Sequence, residues 1–358
     1  MDKGFHSFGW YASKVSPHLP KKAFKPVPGR LLGGLAYLMI TIAGMFAIGV
    51  YDLPFLANIA IAVVIGTSFA SMGFLGHEIL HGTVVKKVGL RNFLGAVFFF
   101  PLLTGPRLWR KWHNMTHHVH TQDEEKDPDA WLTKEQLDKK PALKIIYRLP
   151  FSVRAFFEFF SLSFTFTLHS VRMFFAYVKE FKPENRLAVW IQFLLPWVAW
   201  TGLVFFVGIT NWVFMFLIPH LIANTIVMAY ISTNHRLNPQ VPVNDPLANT
   251  LSVTVPKWID VLHFNFSYHT EHHLFPSMSS KYYPLVKGHI KDKWPGLYHE
   301  MPMSNALVAL WKTPRVYYNG TELIDPRAEL VYGSLGNGLD PQAIEPRSMD
   351  REDGIKQA

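Results

Sequence analysis

Apolar residues in this chain are gathered into two long runs. The first extends from Leu31 to Gly76 and is broken only at Tyr51-Asp52-Leu53-Pro54; the second extends from Leu187 to Thr233 and is broken at Thr210-Asn211. Each half-run is close to the roughly 20 apolar residues a helix needs to cross the hydrocarbon core of a bilayer. Asp with Pro, and Thr with Asn, are the residues expected at the turn between two such helices. The pattern predicts four transmembrane helices in two hairpins, about 31–76 and 187–233. Two shorter apolar stretches, Asn92 to Pro106 and Ala155 to Val171 (with Glu158 inside it), are too short or too polar to span and are expected to lie at the interface.

Charge sharpens this picture. Of 35 Lys and Arg in 358 residues, none lies between Arg30 and Lys86 and none between Arg186 and Arg236. If both runs are hairpins, every basic residue falls on one side of the membrane, in 1–30, 86–186 and 236–358. Positive charge marks the cytoplasmic side, so both termini are expected there in a multi-pass integral membrane protein. The net charge of +9 then describes a basic face near anionic headgroups, with no nucleic-acid partner. The expected organisation is a cytoplasmic N-terminal segment (1–30), a main domain (31–325) whose cap comprises 77–186 and 234–325, and a flexible polar tail (326–358).

The chemistry is carried by histidine. There are 17 histidines and no cysteine, which excludes a disulfide scaffold and thiolate-held iron–sulfur clusters. Ten histidines fall in four places: His77-Glu78-Ile79-Leu80-His81, His113-Asn114-Met115-Thr116-His117-His118-Val119-His120, His235, and His269-Thr270-Glu271-His272-His273. The topology read from Lys and Arg puts all four at one face of the membrane. On a helix, His77 and His81 share a face, as do His269, His272 and His273. His113 and His117 share one too, but His118 is about 140° from His113 around an ideal helix. Either His118 serves a second ion or the helix deforms there; His120 lies nearer the shared stripe. Imidazole suits zinc, copper, iron and nickel. Eight or nine histidines are too many for one ion and suit two. Two redox-active ions at a membrane surface point to oxygen chemistry on a lipid, for which iron fits and redox-inert zinc does not.

The boxes HEILH, HNMTHH and HTEHH, in this order and with a long interval before the third, resemble those of the membrane fatty acid desaturases, within the integral-membrane di-iron desaturase and hydroxylase superfamily. His272-His273-Leu274-Phe275-Pro276 followed by Tyr282-Tyr283-Pro284 resembles the acyl-lipid branch. The resemblance implies an all-α membrane protein with four transmembrane helices under a cytoplasmic helical cap that holds two non-haem irons. It implies His77, His81, His113, His117, His118, His269, His272 and His273 as ligands, with His235 matching a further histidine after the fourth crossing. The implied reaction is oxygen-dependent insertion of a cis double bond into an acyl chain of a lipid or acyl thioester. Two departures stand out: Glu78 occupies a position where Asp is common, and His120 is surplus to the pattern. No haem-binding His-Pro-Gly-Gly segment and no dinucleotide fingerprint is present, so electrons are expected from a separate ferredoxin or cytochrome b5 type donor. Competing readings are a hydroxylase on the same scaffold, an intramembrane zinc protease using Glu78 as general base, and a metal transporter or sensor.

Overall fold

The computed structural model describes residues 4–349. The apolar part of the chain is helical throughout. After a short amphipathic helix α1 (Phe8–Val15), helix α2 (Arg30–Val50) runs to the break at Tyr51, and Pro54 caps the start of α3 (Phe55–Leu80). Helix α2 exposes Leu32, Leu35, Met39 and Phe46, an apolar face suited to a lipid environment, whereas the second half of α3 is almost wholly buried.

Helix α4 (Val88–Phe99) breaks where Leu103 adopts a left-handed conformation with φ 56°, and Pro106 opens α5 (Pro106–Trp109). The two limbs, Val88–Leu102 and Pro106–His120, meet at 98°. The stretch expected to lie at the interface is thus a sharply bent pair. Its limbs press closely on α3: a Cβ added at Gly73 would come within 2.4 Å of Leu102 Cδ1, and one at Gly76 within 2.8 Å of Phe99. Such close approach by small residues is how helices pack where no hydrophobic effect drives them together. The stretch around Ala155–Val171 is a longer helix, α6 (Phe151–Tyr177), against which Asn224 and Thr225 of a later helix pack through hydrogen bonds to Thr167 and Ser163 at 3.1 and 3.0 Å.

Helix α7 (Pro183–Trp212) passes through a π-helical turn (Val213–Leu217) into α8 (Ile218–His235). With α2 and α3, this 53-residue stretch is long and apolar enough to cross a membrane. Drawn straight it would be about 80 Å long, far more than a hydrocarbon core of about 30 Å. It is not straight. Gly208 has φ 75° and ψ 162°, and the Trp212 indole donates to the Trp200 carbonyl at 2.7 Å, a residue that would be about 18 Å away along a straight helix. The chain therefore bends at Gly208, two residues before the expected Thr210-Asn211, because only glycine takes this backbone conformation without a Cβ clash.

The rest of the chain folds over one end of these helices: strand β1 (Ser252–Thr254), helices α9 (His269–Leu274) and α10 (Tyr283–Lys293), strand β2 (Glu300–Pro302), parallel to β1, and helix α11 (Met303–Lys312). Tyr11 and Val15 of α1 pack with Leu274, Met278, Val286 and Ile290, so the N-terminal segment helps to hold α9 in place. Strands β3 (Tyr317–Asn319), β4 (Glu322–Asp325), β5 (Leu330–Gly333) and β6 (Arg347–Ser348) form an antiparallel sheet in that order. The polar segment after Asp325, expected to be flexible, is folded here as far as β6, with Val331 and Leu335 buried. Its low apolar content hid β5, which pairs with β4 and buries Val331 and Tyr332, and the exposed β6, which pairs with β5. Its last residues, 350–358, lie outside the described residues.

Candidate metal centre

Four elements bring the histidines together. His77 sits in the last turn of α3 and His81 caps it, its backbone N–H donating to the His77 carbonyl at 3.2 Å. His235 ends α8, and α9 carries His269, His272 and His273. The second box follows α5 on a π-helix, Arg110–His117, which closes with a short turn, His118–His120. A π-helix bonds residue i to i+5, so His113 and His118, which diverge on an α-helix, here face the same way. Their Nε2 atoms are 3.1 Å apart. Of the two alternatives open at the second box, the helix deforms.

The outcome is two adjoining nests of imidazole nitrogens. His77, His81, His113, His118 and His272 place ligating atoms within 4.8 Å of one another, and so do His117, His235 and His273. His269 joins the second nest, with its Nε2 2.7 Å from that of His235. In the first nest, Nε2 to Nε2 distances are 3.1 Å for His77 and His113 and 2.9 Å for His118 and His272. Neighbouring histidines part company: His117 and His118, and likewise His272 and His273, contribute one imidazole to each nest. His120 belongs to neither nest among the described residues.

Burial, reinforced by the other imidazoles, holds His81, His269, His272 and His273 well below the usual histidine pKa and hence neutral. Neutral imidazole is the ligating form. Buried Nε2 atoms of His81 and His273 have no hydrogen-bond partner. His117 differs: against its burial, the Asp127 and Asp129 carboxylates raise its pKa to about 9. The converging lone pairs of the neutral rings are what a bound cation satisfies, and an all-nitrogen donor set without thiolate fits non-haem iron, among other transition metals.

Groups around the nests fix ring orientation. Both Asp127 carboxylate oxygens meet His117 Nδ1, at 2.9 and 3.1 Å, and Asp129 lies 3.5 Å from the same nitrogen and 2.8 Å from His169 Nε2. His235 Nδ1 meets the Asn249 carbonyl at 3.2 Å, His273 Nδ1 the Thr121 hydroxyl at 3.3 Å, and His272 Nδ1 the Tyr283 hydroxyl at 3.1 Å. Bonds at Nδ1 turn Nε2 toward the nest and raise its basicity. Sequence reasoning missed Asp127, Asp129, Asn249 and Thr121; the only local signal was the Asp-Pro-Asp beyond the second box. Glu78 goes elsewhere. Its carboxylate pairs with Arg30 Nε at 3.0 Å and accepts from Ser279 Oγ and from the Ser280 backbone N–H at 3.2 Å. It clamps the start of α2 to the loop before α10 and touches no ligand-candidate histidine.

Beside the first nest lies a narrow cleft with about 20 Å³ of free space, with Phe74, Phe264, Phe266, His77, His81 and His272 in its walls. Phe74 and Phe266 stack at 4.3 Å, and Phe266 meets the His77 ring at 5.1 Å. An apolar, aromatic wall leading to a polar nest is what a long hydrocarbon with one reacting segment requires.

The model of the fatty acid desaturase family matches residues 54–305, more than half of the chain and every element that carries a nest histidine. The chain belongs to that family. Among its relatives is an sn-1 oleoyl-lipid 12-desaturase of Synechocystis sp., 25% identical over 88% of this chain and 90% of its own length. An acyl-lipid (9-3)-desaturase of Borago officinalis is 26% identical over 77% of this chain and 68% of its own. A chloroplastic omega-6 fatty acid desaturase of Spinacia oleracea is 23% identical over 74% of this chain and 59% of its own. The desaturase match gathers all four histidine-bearing segments into one domain, as the geometry does.

Proposed function

We propose that this desaturase introduces a cis double bond into the acyl chain of a membrane lipid, with iron held in both nests. The observation that carries the reading is the pair of adjoining all-imidazole nests opening on an aromatic cleft. His77, His81, His113, His118 and His272 would hold one ion, and His117, His235, His269 and His273 the other. Iron bound there would supply the oxidising chemistry: dioxygen, two external electrons and two protons are consumed, two hydrogens leave adjacent methylenes, and two waters are released. The chain's own task is positioning. Phe74, Phe264 and Phe266 hold the hydrocarbon against the first nest and keep bulk water from it, while Asp127, Asn249 and Tyr283 keep the imidazoles aimed.

The topology belongs to the same proposal. The length of Pro183–His235 and its bend at Gly208 support two crossings there, giving four in all with α2 and α3. The bent pair then enters the membrane without crossing it, and both termini share the basic, cytoplasmic side. An acidic ferredoxin or cytochrome b5 type donor would be drawn to that face. The zinc-protease reading fails on Glu78, whose carboxylate is engaged by Arg30 and the 279–280 loop rather than aimed at a nest.

Expression in a host without desaturases, followed by fatty-acid profiling and metal analysis of the purified protein, tests the proposal. New monounsaturated or diunsaturated chains and two irons per protein are expected. A hydroxylated product would reassign the reaction, and a single zinc would overturn the site.

A further inference from the structure

Beside the first nest lies a cationic cluster that the desaturase chemistry does not use. Between Glu78 and Asp123 the sequence holds six Lys and Arg and no acidic residue. Three of the six, Arg91 on α4 and Arg107 and Arg110 at the start of the second limb, converge in the groove between α4, α5 and the beginning of α7. Arg91 and Arg107 lie close enough to Arg110 to repel its charge. Arg110 Nη1 reaches Asn92 Oδ1 at 3.4 Å, Arg107 Nη1 reaches Asn185 Oδ1 at 3.2 Å, and Arg91 Nη1 lies over Gly82, where an added Cβ would meet it at 2.9 Å.

The Nε atoms of all three are buried without a hydrogen-bond acceptor. No carboxylate pairs with any of them among the described residues, whereas nearby Lys111 pairs with Glu180 at 2.9 Å, and Arg30 and the buried Arg154 meet Glu78 and Asp325 at 3.0 and 3.1 Å. Three half-buried guanidiniums clustered without a carboxylate, each with an unbonded Nε, call for an anion. Guanidinium forks match tetrahedral oxyanions in particular.

We infer that this groove binds the phosphate or sulfonate headgroup of an anionic glycerolipid. The lipid, rather than a free anion, follows from what adjoins the cations. One turn before Arg91 on the same helix face, Val88 is an exposed apolar residue, so the cations adjoin hydrocarbon-compatible surface. Basic pockets between membrane helices take anionic headgroups in this way. The site is coupled to the metal centre through Trp109, whose ring stacks on His113 at 4.3 Å and meets His77 at 5.1 Å. This inference concerns binding and stands whether or not the desaturase reading of the nests holds.

The test uses the full chain in nanodiscs of phosphatidylcholine, with and without phosphatidylglycerol, reading the melting temperature, and mass spectrometry of lipid retained through purification. Phosphatidylglycerol should raise the melting temperature of the native chain, and anionic lipid should co-purify above its share of the host membrane. The doubly substituted Arg91→Gln, Arg110→Gln chain should lose both effects, while a Lys86→Gln, Lys87→Gln control, altered at exposed positions, should keep them. If the double variant does not fold, Arg91→Lys and Arg110→Lys singly should retain part of the increment. An equal response in native and Arg-substituted chains, or no enrichment of anionic lipid on the native chain, would overturn the site. An equal increment from inorganic phosphate in phosphatidylcholine discs would overturn the lipid assignment in favour of a free anion.

Discussion

The two nests are built from the same side chain and differ in what surrounds it. In the second nest, His117, His235 and His273 each have Nδ1 engaged, by Asp127, the Asn249 carbonyl and Thr121. In the first nest only His272 has such a partner, Tyr283, and His118 Nδ1 is buried without one. The first nest compensates by position: His77, His81 and His272 form a wall of the aromatic cleft, and His77 and His113 pack against Trp109. One nest is thus held by hydrogen bonds and the other by aromatic packing next to the cleft. The comparison teaches that the second nest is the anchored one and the first the one that faces the cleft.

The largest expected effect treats the nests alike. His118→Ala in the first and His273→Ala in the second should each abolish desaturation, because a methyl group cannot replace an imidazole ligand. Iron content should fall from two toward one per protein, measured on purified material. Retention of both irons and of full activity in His118→Ala would break the division into nests.

The next effect should separate them. Asp127→Asn keeps shape but replaces a charged acceptor at His117 Nδ1, and loss of such a partner costs about 10- to 100-fold in metal affinity or activity. Tyr283→Phe removes a neutral, singly bonded partner from His272, and a net contribution of about 1 kcal/mol corresponds to a loss of several-fold. Iron retention after chelator challenge should therefore rank native, Tyr283→Phe, Asp127→Asn. The reverse order would mean that the first nest, not the second, depends on its hydrogen-bonded partners.

The same contrast explains what could be read from the sequence. His77 and His81 lie on a regular helix end, where i, i+4 spacing translates directly into a shared face, and the uncharged runs marked α2, α3 and the α7–α8 pair. The second box could not be resolved by spacing, because 3.6-residue periodicity assigns His118 to the wrong side and nothing local announces that Arg110–His117 winds as a π-helix. The resemblance to known histidine boxes named His118, and the geometry gives the physical reason. Asp127 was illegible because a helix-face argument ends where the chain leaves the helix. The strands after Asp325 were missed because a short, half-buried sheet in polar sequence has a weak pattern.

Two carboxylates next to histidines sharpen the comparison further. Asp127 touches a ring, whereas Glu78, one residue from His77, instead ties Arg30 to Ser279 and Ser280. Glu78→Gln should leave two irons bound while lowering thermal stability, since a half-buried guanidinium loses its counter-charge; breaking such a pair costs about 1–3 kcal/mol at this partial exposure. Thermal unfolding followed alongside iron content checks this. Iron lost before any change in melting temperature would assign Glu78 to the metal centre after all.

The smallest effect is expected at His120, and it carries the sharpest test of how the second box winds. On an α-helix, His120 would lie near the stripe of His113 and His117, and His118 would point away. On the π-helix, His118 meets His113 and His272, at 3.1 and 2.9 Å, while His120 is left half-buried outside both nests. His120→Ala should therefore retain two irons and native activity, in the same assay that shows His118→Ala to be inactive. If the outcomes are exchanged, the segment binds metal as an α-helix, and the division of His117 and His118 between two nests falls with it.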